Sequence, residues 1–115
     1  MSHDLYPQTT PQISRHRREL APETHTAFDE FSHSVFAEGA LNTATKQLIA
    51  VAVAHVTQCP YCIRGHSRLA RGAGATDAEI MEAIWVAAEM RAGAAFAHAT
   101  IALDALSEPS PPADS

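Results

Sequence analysis

An all-α fold follows from three observations on this 115-residue chain. Alanine, the best helix former and a poor strand residue, fills 23 positions. Aromatic residues make up only 6%, so the interior must be built by small side chains on closely packed helices. Apolar residues recur at helical spacing in several segments, and no segment alternates as a strand does.

About five helices fit within residues 21–106, which form one domain; the length leaves no room for a second. Residues 1–20 mix Pro7 and Pro11 with polar residues and are expected to be an arm that orders only against a partner surface. The first helix begins at Pro22 and stops at Gly39, with Ala27, Phe28, Phe31, Val35 and Phe36 on one face. The second follows the capping residues Asn42 and Thr43 and runs to Thr57. Between Leu48 and Val56 only His55 breaks its apolar surface, as in a buried helix.

The third helix opens at Cys59-Pro60 and fades into Gly72-Ala73-Gly74. Thr76-Asp77-Ala78-Glu79 is a capping-box pattern that starts the fourth. That helix carries Ile80, Ile84, Ala87 and Ala88 and is expected to end near Arg91-Ala92-Gly93. A fifth, Ala94 to Leu106, is apolar nearly all round, and residues 107–115, rich in proline, read as a disordered tail. Two such apolar helices exceed what a small bundle can hide, which predicts a homo-oligomer.

Charge and patterning exclude several functions. Eight basic against 13 acidic side chains give a net charge of −5, the wrong sign for neutralising nucleic-acid phosphates. The one basic cluster, Arg15-His16-Arg17-Arg18, is short and abuts Glu19. No apolar run is long enough to span a membrane, and Met1 to Pro11 lacks the apolar core of a secretory signal. The expected compartment is the cytoplasm, where a structural disulfide would be kept reduced. The two cysteines therefore need another explanation.

They stand in Gln58-Cys59-Pro60-Tyr61-Cys62-Ile63-Arg64-Gly65-His66. A C-x-x-C spacing permits a disulfide, and Pro60 suits the first helical turn, so Cys59 is placed at the N-cap and Cys62 just inside. There, unpaired N–H groups and the helix dipole favour a thiolate. His66 follows Cys62 by four residues and shares its helix face, the arrangement of a nucleophile with an adjacent base. Two other readings stand beside redox chemistry. The pair could be half of a zinc site completed by His66 with His55 or His98, although no second C-x-x-C exists. It could also be two inert, buried thiols.

The run Leu41 to Ala50, the motif Cys59 to His66 and the helix start Gly74-Ala75-Thr76-Asp77-Ala78-Glu79-Ile80 together resemble the AhpD-like, carboxymuconolactone decarboxylase family over about residues 22–105. Within it the chain is similar to the small single-repeat members, not to the decarboxylases, which lack the cysteine pair. The resemblance implies an AhpD-like helical bundle assembling as trimers or hexamers, with thiol-dependent hydroperoxide reduction and no cofactor or metal. It makes Cys62 the residue that attacks peroxide and Cys59 the one that resolves the sulfenic acid into a disulfide. His66 then moves protons, and an external dithiol, lipoyl-type in the family, restores the thiols.

One position departs from the family pattern. Where it places a glutamate twelve residues before the first cysteine, this chain has Gln47, which can orient a neighbour but cannot accept a proton. His55, one turn before Cys59, is the nearest ionisable group to take over, its alternative being a histidine bonded to a backbone carbonyl. Tyr61 either donates to a thiolate or packs over the helix start. Lys46 and Arg64 either steer an anion or stay solvated; His98 either faces the site or is a core histidine; Trp85 and Met90 read as core or interface. The rival functions are a non-catalytic redox-sensing or zinc-binding oligomer, and a lactone enzyme like the decarboxylases.

Overall fold

The computed structural model describes residues 5–110, all of whose regular structure is helical. The elements are α1 (Pro11–Leu20), α2 (Pro22–Phe36), α3 (Thr43–Thr57), α4 (Pro60–Gly72) and α5 (Asp77–Leu106). The fold class is all-α, as the composition indicates, but two elements differ from the sequence reading. The segment expected to be an unstructured arm contains α1, and the expected fourth and fifth helices are one 30-residue helix. Residues 111–115 of the expected tail, and residues 1–4 of the arm, lie outside the described residues.

Local chemistry accounts for the boundaries. The Thr10 hydroxyl accepts from the Ile13 N–H at 3.2 Å and Pro11 opens α1, so a mostly polar segment still has a defined helix start. The Asn42 side chain caps α3 at 2.8 Å. Gln58 ends α3 in the left-handed region (φ 59°), turning the chain so that Cys59 becomes the N-cap of α4. Gly74, at φ 102°, closes α4, where the Ala75 N–H returns to the Ala70 carbonyl at 3.0 Å. Thr76 and Glu79 form the capping box of α5, with bonds of 3.1 and 2.8 Å. Gly93 does not end α5, because it is flanked by alanines and no Ser, Thr, Asp or Asn follows directly to cap a new helix.

The core lies where α3 meets α4 and α5. Val51 is wholly buried, with Ala70 and Ala75 beside it and Leu48, Ile80 and Ile84 packed around them. Alanines at these positions let the helix axes approach closely. Arg91 of α5 donates to the Val56 carbonyl at 3.2 Å and ties the end of α3, just before the cysteine motif, to the long helix. Helix α2 meets the rest of the fold mainly at α3, and α1 packs on α2. Most large apolar side chains remain bare, including Phe28, Phe31, Trp85, Met90 and Phe96, the last 83% exposed. Trp85 and Met90 are therefore not core residues of the single chain.

Candidate active site

The site is assembled on α4. Its N-cap, Cys59, accepts the Cys62 N–H through its own sulfur at 3.3 Å. Both cysteines are free and half-buried. The sharing of protons between them is unequal. The pKa of Cys59 is lowered from the ordinary thiol value, chiefly because the Cys62 thiol hydrogen-bonds to it, and then because the N–H groups of Cys62 and Tyr61 point at its sulfur. That of Cys62 is raised, first because its thiol is the donor to Cys59, then by burial and by the neighbouring negative charge. Cys59 is therefore the easier of the two to deprotonate, and Cys62 the one that keeps its proton longer.

Cys62 and His66 open onto a cavity of about 390 Å³ between α2, α3 and α4. Its walls are mainly apolar, from Val35 and Phe36 of α2 and Ile49, Ala50 and Val53 of α3. Three bonds hold the end of α2 against it: Lys46 Nζ donates to the Val35 and Ala37 carbonyls at 2.8 and 2.7 Å, and the Thr43 hydroxyl donates to the Phe36 carbonyl at 2.9 Å. Lys46 is thus a helix-end cation and not a free steering charge. Phe36 in turn stacks on the His66 ring, with centroids 5.3 Å apart and planes inclined at 26°.

Behind the imidazole lies Gln47, a buried polar side chain of α3. Its Oε1 is 2.7 Å from His66 Nδ1. An amide oxygen only accepts, so Nδ1 carries a hydrogen, and in the neutral ring Nε2 is the atom with the free lone pair. Nineteen residues separate the two in sequence, and only the packing of α3 on α4 brings them together.

Other candidates fall elsewhere. His55 Nδ1 is 2.7 Å from the carbonyl of Val51 on its own helix, and His55 does not line the cavity, so it does not replace the missing glutamate. The Tyr61 hydroxyl donates to the Pro7 carbonyl at 2.7 Å, not to a thiolate, and its ring meets Tyr6 edge-on at 6.0 Å. The residues just before α1 accordingly pack on the chain's own cysteine turn. His98 is exposed and belongs to neither the core nor the site. Among the described residues no three His, Cys, Asp or Glu side chains gather as metal ligands. Phe36 was missed by sequence reasoning as a site residue. Its apolar face periodicity showed burial but not the imidazole it covers.

The family model for carboxymuconolactone decarboxylases matches residues 22–105. The chain belongs to the carboxymuconolactone decarboxylase family. A Paracoccus denitrificans protein described as uncharacterised protein 4 in the cox locus is 70% identical over 82 residues, covering 71% of this chain and 74% of that one. A carboxymuconolactone decarboxylase family protein from Legionella pneumophila, solved in its apo form, is 38% identical with a TM-score of 0.63, over 69% of this chain and 70% of its own. A Methanobacterium thermoautotrophicum structure reaches 40% identity and a TM-score of 0.68, over 72% and 93%. A Thermotoga maritima structure, 24% identical with a TM-score of 0.56 over 84% and 99%, shares the fold. Family membership agrees with the helical architecture and places the paired cysteines in the family's matched core.

Proposed function

We propose that this protein is a dithiol-dependent oxidoreductase of the AhpD-like kind that reduces hydroperoxides. One observation carries the reading: Cys62 and His66 face a single apolar cavity one turn apart, while Cys59 caps the same helix with its sulfur held toward Cys62. His66 Nε2 takes the proton that Cys62 retains at rest, and the thiolate attacks the terminal peroxide oxygen. An S–O bond forms, the O–O bond breaks, and the imidazolium returns the proton to the departing alkoxide or hydroxide. Cys59, the more easily deprotonated thiol, then attacks the Cys62 sulfenic sulfur as thiolate, the S–O bond breaks as the disulfide forms, and the expelled hydroxide takes a proton from solvent to leave as water. An external dithiol supplies two electrons and two protons to restart the cycle.

Gln47 fits this scheme because His66 borrows one proton and gives it back, so the step needs a fixed tautomer and not a permanent proton acceptor. We read the bare apolar faces as the contacts of a homo-oligomer, a trimer or hexamer, working in the reducing cytoplasm with no nucleic-acid partner. Among the described residues no helix is long and apolar enough to cross a membrane. A lactone-decarboxylating role would leave the paired thiols without a task.

The test is peroxide consumption by the purified protein with dihydrolipoamide or dithiothreitol. Cys62→Ser is expected to abolish turnover, and Cys59→Ser to stop after one equivalent with Cys62 held as sulfenic acid. Normal cycling of Cys59→Ser would overturn the assigned roles. A reversible disulfide without turnover would instead mark the pair as a redox sensor.

A further inference from the structure

Helix α4 has a second working face. Opposite Cys62 and His66, the side chains of Tyr61, Arg64 and Arg68 border a separate cleft of about 660 Å³, closed on its other side by Gln8 and Thr9 of the N-terminal segment. The volume suits a small molecule. Two arginines one helical turn apart border it, and among the described residues neither is in an ion pair; those present are Arg18–Asp29, His25–Asp29 and Arg71–Asp77. This is a concentration of unneutralised positive charge on a chain whose net charge is −5.

Gly65 lies between the arginines on the cleft lining. A glycine inside a helix is less favourable than alanine. Nothing inside the fold requires it, since a Cβ built there meets no atom within 4 Å. The space such a side chain would occupy is open. The cleft also begins beside the redox pair: Tyr61, on its lining, is one of the two residues whose N–H groups point at the Cys59 sulfur. Arg64 lies five residues beyond Cys59, about 7.5 Å along the helix axis. Cys59, unlike Cys62, does not line the apolar cavity.

We propose that the cleft of Arg64, Gly65 and Arg68 binds the carboxylate of the thiol that reduces the Cys59–Cys62 disulfide, so that the reductant is a low-molecular-weight thiol bearing an acid group. This rests on the dithiol reading of the cysteine pair. The reductant's thiolate attacks the Cys59 sulfur, the Cys59–Cys62 bond breaks, and Cys62 leaves as a thiolate. The reductant's second thiolate then attacks its own mixed-disulfide sulfur and expels Cys59. Two electrons and two protons pass to the protein, and the reductant departs as a cyclic disulfide. Peroxide and reductant thereby approach the pair from opposite faces of α4.

The experiment uses the full chain with its disulfide formed chemically by diamide, so that no peroxide turnover is needed. Rates of disulfide reduction are compared for dihydrolipoate, which carries a carboxylate, and dihydrolipoamide, the same dithiol without the charge. The acid is expected to react about tenfold faster at low ionic strength, two exposed charge pairs supplying the difference. The preference is expected to shrink in 0.3 M salt, a screening length of about 6 Å, and to vanish in Arg64→Gln/Arg68→Gln, with the dihydrolipoamide rate unchanged. Gly65→Leu, which puts a bulky side chain between the two arginines on the cleft lining and keeps both charges, is expected to weaken it too. A preference that is absent in the native chain, or that survives in the double variant, overturns the proposal. Failure of the disulfide to form at all would instead defeat the dithiol reading on which it rests.

Discussion

The division of charge between Cys59 and Cys62 comes from one hydrogen-bond direction, and it has a visible consequence in pH. Cys59 is an acid whose pKa is lowered, so its thiolate survives below the usual titration range and disappears only as pH falls through the lowered value. Cys62 is an acid whose pKa is raised, so its thiolate appears only as pH climbs past the ordinary value of 9.0. Alkylation with iodoacetamide followed by peptide mass mapping is therefore expected to label Cys59 first, with a midpoint below 9.0. In Cys59→Ala the main causes of the Cys62 shift are gone, and the Cys62 midpoint is expected to move down. Equal labelling of the two sulfurs across the range would contradict the assigned donor and acceptor. At the same scale, Gln47→Glu gives the imidazole a carboxylate that accepts a proton where the amide only orients the ring. Peroxide turnover is expected to rise in this variant. An unchanged rate would show that proton transfer beyond His66 does not limit the reaction.

Among the elements, α4 was fully legible and α5 was not, for physical reasons that differ. Pro60 after a capping cysteine and Gly74 after the last turn are local signals, and local signals survive folding unchanged. The end assigned at Arg91-Ala92-Gly93 relied on a glycine alone, whose helix-ending power depends on a left-handed conformation that it does not adopt here. Gly93→Ala separates the two cases. Within a continuous helix it is expected to stabilise by about 1 kcal/mol, since the new Cβ approaches only the flexible Glu89 carboxylate, at 3.4 Å. At a left-handed helix end it would destabilise, and urea denaturation reads the sign. Helix α1 was hidden for another reason: its face is polar and buries nothing, so hydrophobic periodicity could not reveal it, while Thr10-Pro11 could. The site divides in the same way. Cys59, Cys62 and His66 sit within one helix turn or two and were readable from spacing. The partnership of His66 with Gln47 and Phe36 is made by tertiary packing, and Gln47 was singled out only through the family resemblance.

For the whole molecule, the dimensions are the decisive quantity. A compact domain of about 100 residues has a radius of gyration near 13 Å, whereas this chain has 20.6 Å and spans 60 × 35 × 32 Å. Its fully buried apolar side chains are few and, Val51 apart, are alanines. Such a core offsets little of the entropy of ordering the chain, and on the proposed oligomer reading the remaining burial comes from between chains. The long helix supplies the means. Met81, Trp85, Phe96 and Leu103 fall along one stripe of α5 at helical spacing, and all are exposed by 45% or more. Phe96→Glu places a charge in that stripe without touching the single-chain core, since Phe96 is 83% exposed. Light scattering on the eluting protein is expected to show a multiple of the 12.3 kDa chain mass for the native sequence and a smaller species for the variant. The variant is also expected to melt earlier, since on the oligomer reading so open a chain gains stability on association and loses it on dilution. A native protein that ran as a stable monomer would mean that the apolar stripe is covered in some other way, and the oligomer reading would fall.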